Sequence, residues 1–322
     1  MCTPKLQTAP RGAKRPRPPA QRDANLKDSW VILANPTAGG GKGRRYAEGA
    51  ARLLAQAGRR HRLWYTRQKG DGLALAEQAV RSGARRLLIC GGDGTLFEAL
   101  PALSGTAVEV GLLPAGTAND LARALGLPRR LRPAVACQLE GTVRRLDLGA
   151  CGGRLFATVA AFGFDAEISA AMLNGRLPFK GTAGYLYAAL TSLPRYAHPT
   201  VRLSGDFGVF EGEVLLVAAA NSRSYGGGLR IAPDADPCDG LLDVCIVSRL
   251  SPLRVLPVLP SLFWGGHRSH PAVRLERTAR LRVETPGKEL PLCADGEMLG
   301  GTPVELACLG ASLKVVVPRL PS

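Results

Sequence analysis

At 322 residues, 46% of them hydrophobic, the chain can bury a sizeable core and divides more naturally into two domains than one. No run approaches the roughly 20 uninterrupted apolar residues of a membrane-spanning helix, and the longest, such as 214–220, have strand length, so a soluble or peripheral protein is expected. A net charge of +16 asks for an anionic partner (nucleic acid, a lipid surface or a polyphosphate), and aromatics at only 5%, not clustered with arginine, argue against nucleic acid.

Residues 1–28 are basic and proline-rich without apolar periodicity. Up to position 27, seven lysines and arginines face one aspartate, and the segment reads as a disordered tail. From 29 to 145 strands alternate with helices. Residues 30–34 (WVILA) form a strand; Tyr46, Ala50, Leu53, Leu54 and Ala57 then recur at the spacing of one helix face, which Gly58 ends. A second strand covers 63–66, a helix capped by Asp71 runs to about 81, and 86–90 (RLLIC) make a third strand before a short helix to 103. A fourth strand at 108–113 and a helix at 119–125, stopped by Gly126 and Pro128, complete the unit. This alternation specifies a Rossmann-like parallel sheet with helices on both faces. From 146 to 318 the pattern changes to short strands at 146–150, 155–161, 214–220, 242–247, 281–284, 304–308 and 313–317, with one helical insert at 165–193. That half is expected to be a mainly antiparallel β-sandwich domain. Eight cysteines without a CxxC pair, and four histidines without a cluster, point to buried free thiols in a reducing cytosol, not to disulfides or zinc.

Three loops sit where strands end, the place where open α/β sheets bind ligands. Asn35, Pro36, Thr37, Ala38, Gly39, Gly40, Gly41, Lys42 and Gly43 join strand to helix and offer backbone N–H groups to phosphate. A plain turn is the other reading, because Lys42 is followed by glycine and not by the Ser or Thr of a Walker A loop. Gly91, Gly92, Asp93, Gly94 and Thr95 let a ligand approach the backbone closely; Thr95 can cap the next helix, and Asp93 is left free for a metal or a hydroxyl. In residues 114–120 (PAGTAND), Gly116 gives the turn, and Thr117 or Asn119 can cap the following helix or touch a nucleotide.

In this order and spacing, NPTAGGGKG, GGDGT and LPAGTAND resemble the catalytic domain of the diacylglycerol, ceramide and sphingosine kinases and their bacterial lipid-kinase relatives. The segments LDLG (146–149), GFDAE (163–167), DGLLDV (239–244) and DGE (295–297) resemble that family's C-terminal motifs, so the likeness runs from about 30 to 318. The resemblance implies an ATP-dependent kinase that phosphorylates a lipid hydroxyl. On it, the GGDGT loop binds nucleotide with Asp93 near the reaction, and Thr66 and Thr117 contact the nucleotide. A structural Mg²⁺ is held by Asp236, Asp239 and the Leu241 carbonyl, oxygen ligands suited to a hard ion. The DGE motif supplies Asp295 and Glu297, with Glu297 taking the hydroxyl proton. Lys42, Arg176 and Lys180 can face the triphosphate, although the last two also read as a solvated helix face; Asp165 is either near the head group or a helix cap. The partners implied are ATP, a membrane lipid (diacylglycerol or a related glycerolipid or sphingoid lipid) and an anionic membrane surface met peripherally from the cytoplasm, with no nucleic acid. Two alternatives stand beside this: a soluble NAD kinase-like enzyme, whose relatives share a similar GGDGT loop, and a membrane-binding protein that keeps only the fold. DGLLDV favours the lipid branch, and intact Asp93 and Glu297 favour catalysis.

Overall fold

The computed structural model describes residues 26–173 and 181–319; the basic tail up to residue 25, Arg176 and Lys180 lie outside the described residues. In the first half, β1 (Trp30–Ala34), β2 (His61–Tyr65), β3 (Arg86–Gly91) and β4 (Glu109–Pro114) are parallel, in the spatial order β2, β1, β3, β4. The intervening helices are α1 (Ala38–Gly41), α2 (Gly43–Gln56), α3 (Asp71–Arg81) and α4 (Asp93–Leu103), followed after β4 by α5 (Asp120–Ala124) and α6 (Leu131–Glu140). Crossovers cover both faces, so β1, β3 and β4 are buried on both sides, whereas β2 at the edge is only partly so. Val31, Leu33, Leu87 and Ile89 join a core with α3 and α4, while Ile32, Leu88 and Leu113 pack against α2 and α6.

The second half begins with β5 (Thr142–Cys151), β6 (Arg154–Phe156) and β7 (Val159–Gly163), continues through α7 (Phe164–Leu173) and α8 (Gly181–Ser192), and then adds β8 (Thr200–Gly205), β9 (Gly208–Ala220) and β10 (Leu242–Ser248). After α9 (Pro252–Ser261) come β11 (Val273–Thr278), β12 (Arg280–Glu284), β13 (Pro291–Ala294), β14 (Glu297–Gly301) and β15 (Val304–Val317). Its strands pair antiparallel in two layers. Strand alternation assigns the faces. On β9, Val217 and Ala219 point into the sandwich with Phe162, Ile246, Leu281 and Leu292, while Leu216, Ala218 and Ala220 point outward beneath Ile168, Ala188 and Val255 of the helices.

The N-terminal parallel unit and the antiparallel sandwich are therefore both present. The elements depart from expectation in detail: 155–161 divides into β6 and β7, the helical insert into α7 and α8, and α6, β8, β11, β13 and β14 have no expected counterpart. Residues 304–317 form one strand and not two, because its pairing with β5 shifts between Leu309 and Leu313, where Ala311 takes a left-handed φ of 52°. Prolines also conceal α9, which carries Pro252 in its first turn and Pro257 and Pro260 within it.

β15 ties the halves together. It pairs with β12 and β5 in the sandwich, then runs on so that Lys314 and Val315 pair parallel with Glu109 and Val110 of β4. Leu313, Val315 and Val317 are buried in the core of the parallel unit. Leu313→Ala is thus expected to cost about 2–5 kcal/mol. A lowered urea midpoint reported equally by far-UV circular dichroism and tryptophan fluorescence will check this; loss of one signal ahead of the other will show that the halves unfold independently.

Candidate active site

The loops at the carboxyl ends of β1, β2, β3 and β4 face the sandwich across two adjoining cavities. The smaller, of about 440 Å³, is bounded by Asn35, Pro36, Thr37 and Ala38 after β1, Thr66 through Lys69 after β2, and Gly92, Gly94, Thr95 and Glu98 at the start of α4, with Gly116 and Glu297 closing it. The turn after β1 is shaped by Asn35, whose Oδ1 accepts from the Thr37 N–H at 3.0 Å and the Thr37 hydroxyl at 2.8 Å. Gly39 does not line the cavity: at φ 60° it lies against the Ala115 carbonyl, where a Cβ would sit 2.3 Å away. The loops carrying Gly92 and Gly116 touch backbone to backbone, and a Cβ on Gly116 would fall 2.4 Å from the Gly92 Cα. Gly91 is the buried end of β3, packed on Thr95.

Carboxylates hold these loops in place. Asp71 is not a cap; its Oδ2 reaches back to accept the Arg67 N–H at 2.8 Å. Glu98 of α4 accepts from the Gly70 and Gly72 N–H groups at 2.9 and 3.0 Å. Asn119, also expected as a cap, closes its own loop through Oδ1 to the Gly116 N–H at 2.9 Å. Across the mouth, Lys69 Nζ meets Glu297 Oε2 at 2.7 Å, and this bond raises the lysine pKa.

The larger cavity, of about 610 Å³, lies between the halves and is mainly apolar. Val159, Ala161 and the Tyr225–Gly227 turn line it, with Asp93, Asp120, Asp165, Asp295 and Gly296 on its walls. Thr117 is on this side, not on the smaller cavity. Asp165 accepts from the Tyr225 hydroxyl at 2.7 Å. Both oxygens of Asp295 are engaged: Oδ2 accepts the Ala157 N–H at 2.6 Å, and Oδ1 accepts the N–H and hydroxyl of Thr158. Burial raises the Asp295 pKa, and those bonds oppose the shift.

Of the expected metal ligands, Asp239 is ion-paired to Arg277 and accepts the Leu241 N–H at 3.0 Å, and Asp236 lies 3.7 Å from Arg144. The oxygen chemistry suits Mg²⁺, and the neighbouring Asp243 keeps an unpartnered buried Oδ2. Both carboxylates face arginines here, and among the described residues no group of three or more His, Cys, Asp or Glu side chains is placed to hold a metal, so an ion at this turn would rest on two carboxylates and backbone oxygen.

Lys69, Glu98 and Asp120 are site residues that the sequence reading passed over. Lys69 precedes the Gly70-Asp71 turn and so carried a positional signal. Asp120 read as part of a helix start, and only its burial distinguishes it.

Residues 29–151 match the diacylglycerol kinase catalytic domain, and residues 158–317 match the YegS C-terminal NAD kinase beta sandwich-like domain. A diacylglycerol kinase of Mycobacterium tuberculosis is 35% identical over 297 residues, covering 90% of this chain and 95% of its own. A Pseudomonas aeruginosa protein named a probable lipid kinase, YegS-like, is also 35% identical, covering 91% of this chain and 95% of its own. This chain belongs to the diacylglycerol kinase family of lipid kinases. In fold, a crystal structure of a diacylglycerol kinase from Bacillus anthracis superposes with a TM-score of 0.71 at 20% identity, over 91% of this chain and 97% of that one.

Within this family member, Asp93 and Asp120 form the electrostatic centre. The Asp120 N–H donates to Asp93 Oδ1 at 2.7 Å, and Asp120 Oδ1 accepts the Gly227 N–H at 2.9 Å. Burial raises both carboxyl pKa values; for Asp120, burial first and the neighbouring Asp93 second push it up to about 7. The folded state therefore holds the Asp120 proton more tightly than the unfolded chain, whose aspartate ionises near 3.8, so stability falls as pH rises from 3.8 to about 7. Asp120→Asn retains an acceptor for Gly227 and removes the charge. Its melting temperature is expected to match wild type at about pH 4 and exceed it by several degrees at about pH 8. A gap that stays constant across this range will contradict the burial argument.

Proposed function

We propose that this chain transfers the γ-phosphoryl group of ATP to the hydroxyl of a membrane lipid, diacylglycerol or a related glycerolipid or sphingoid lipid. The observation that carries the reading is the junction of the cavities. Gly92, Gly94 and Thr95 border the polar one and Asp93 borders the apolar one, while Glu297 and Gly296 divide in the same way on the opposite wall. A nucleotide and an acyl chain thereby reach one turn from opposite sides. The relatives named for diacylglycerol and for lipid support the acceptor class.

Phosphoryl transfer needs chiefly positioning and charge neutralisation. The triphosphate would lie against the backbone after β1 and the N-terminus of α4, with Arg67 and Lys69 as nearby cations. Lys69 is largely solvent-exposed in its pair with the half-buried Glu297, so the pair is worth only about 1 kcal/mol, weak enough for the triphosphate to draw Lys69 away. Glu297 is then free to accept the hydroxyl proton. Asp93, held by the Asp120 N–H, orients the acceptor; Asp295, with both oxygens bonded, positions the DGE turn. Thr66 stays with the nucleotide, and Thr117 falls to the acceptor. We place the enzyme peripherally on the cytoplasmic face of an anionic membrane, a reading supported by the net charge of +16 and by seven free cysteines among the described residues.

Asp93→Asn is expected to lower turnover by about 10² or more, as removal of a charged active-site group does elsewhere. The assay is labelled ATP with a panel of detergent-dispersed lipids; near-normal turnover in a folded variant will defeat the assignment.

Mg²⁺ at Asp236, Asp239 and Leu241 belongs to the same proposal, supported by the acid-rich turn and the resemblance, and no step above depends on it. If it binds there, Arg277 and Arg144 must give way. Removing divalent ions with EDTA should lower the melting temperature without nucleotide present, and Asp239→Ala should abolish that response. Melting unchanged by EDTA, with the variant equal to wild type, will remove the ion from the scheme.

A further inference from the structure

The connection between β10 and β11 leaves an apolar face uncovered. α9 buries Val255 in the core outside β9 and β10 and leaves Leu253 and Leu256 80% and 45% exposed. The turn that follows buries Leu262 and leaves Phe263 and Trp264 44% and 65% exposed. Scattered apolar residues on a surface need no explanation, but four large ones within one short helix and its turn form a patch of the kind that marks an interaction site.

Its charges narrow the partner. No Asp or Glu occurs from Val244 to Leu275, a stretch that carries Arg249, Arg254, Arg268 and Arg274. The acids bordering it are already paired: Glu213 with Arg249 at 2.8 Å, Asp234 with Arg268 at 3.0 Å, and Glu276 with Arg274. Arg254 projects from α9 itself. Arg230 lies against the helix end, its N–H donating to the Leu262 carbonyl at 2.7 Å. Both side chains are exposed, and among the described residues neither makes an ion pair. A second copy docked on this face would set arginine against arginine. An anionic bilayer supplies what both parts lack: phosphates for the guanidinium groups and an interface for tryptophan, phenylalanine and leucine.

The patch is also joined to the larger cavity. The Tyr225–Gly227 wall of that cavity leads directly into residues 229–231, which this element clasps. The Arg230 N–H bonds Leu262, and His267 Nε2 donates to the Ile231 carbonyl at 3.0 Å. Leu229 and Ile231 share one core with Val255, Leu262, Val159 and Ala161. The apolar face and the cavity are therefore joined through one packed core.

We propose that α9 and the turn after it are the docking surface for an anionic lipid bilayer, with Leu253, Leu256, Phe263 and Trp264 entering the interface and Arg230 and Arg254 meeting lipid phosphates. The inference rests on the lipid-acceptor reading above and adds to it the face by which the enzyme meets its substrate's membrane.

The test uses the full chain and vesicles of phosphatidylcholine containing phosphatidylglycerol, with bound protein measured by co-sedimentation at low and high salt. Salt screens the basic residues of the first 27 positions, whereas inserted apolar side chains resist it. Wild type is expected to keep a bound fraction at high salt, with Trp264 emission shifted to the blue. Leu253→Ser combined with Trp264→Ser is expected to bind roughly tenfold or more weakly and to lose all binding at high salt. Arg254→Glu is expected to weaken binding at low salt only. Both variants should keep wild-type melting temperatures and wild-type turnover on detergent-dispersed lipid. Absence of turnover on every dispersed lipid would count against the proposed activity and leave the docking result to stand or fall alone. Equal vesicle binding by wild type and the double variant at both salts overturns the docking surface, as does a wild-type dimer that the double variant dissociates while vesicle binding is unchanged.

Discussion

Two hydrogen bonds through one residue hold the site together. Asp120 gives its N–H to Asp93 and takes the Gly227 N–H on its own carboxylate. The loop after β3, the loop after β4 and a turn of the sandwich thus meet at a single residue, through its backbone N–H and its carboxylate. Burying two carboxyls side by side is costly, since each opposes ionisation of the other. The bonds from Gly227 and from the start of α5 offset part of that cost only while the halves stay docked. The larger cavity is bounded by these same elements, so its shape depends on that contact.

The charges around the two cavities are unevenly divided. Arg67 and Lys69 border the smaller together with Glu98 and Glu297, whereas Asp93, Asp120, Asp165 and Asp295 border the larger together with Arg123 and Arg129. Acids and bases balance in the smaller cavity while acids outnumber bases in the larger, so a polyanion meets less repulsion on the first side. A neutral hydroxyl bearing acyl chains suffers no such repulsion and gains from the apolar lining. This asymmetry supports the proposed order of the substrates across the turn.

Much of the first half was legible because its signals are local. The apolar strands Trp30–Ala34 and Arg86–Gly91, and the glycines that follow them, determine where backbone can approach a phosphate, and the loops after β1 and β3 border one cavity together. What escaped depends on contacts distant in sequence. Lys69 and Glu297 are 228 positions apart, and no pattern near either announces the pair. Thr117, expected beside the nucleotide by resemblance, lines the larger cavity, and no local pattern marks which side of the loop closed by Asn119 it takes. Short strands such as Thr200–Gly205 and Glu297–Gly301 carry too few residues to establish a period. In α9, Pro257 and Pro260 sit inside a ten-residue helix, where proline usually ends one.

β15 also bears on how the chain is made. The edge of β4 receives its partner only when residues 304–317 have emerged from the ribosome, after every other strand has been synthesised. Until then the parallel unit presents an open row of backbone donors and acceptors, the kind of edge on which strangers pair. A strand late in the sequence thus closes an edge laid down by a much earlier one, and that seam stays open while the intervening strands are made.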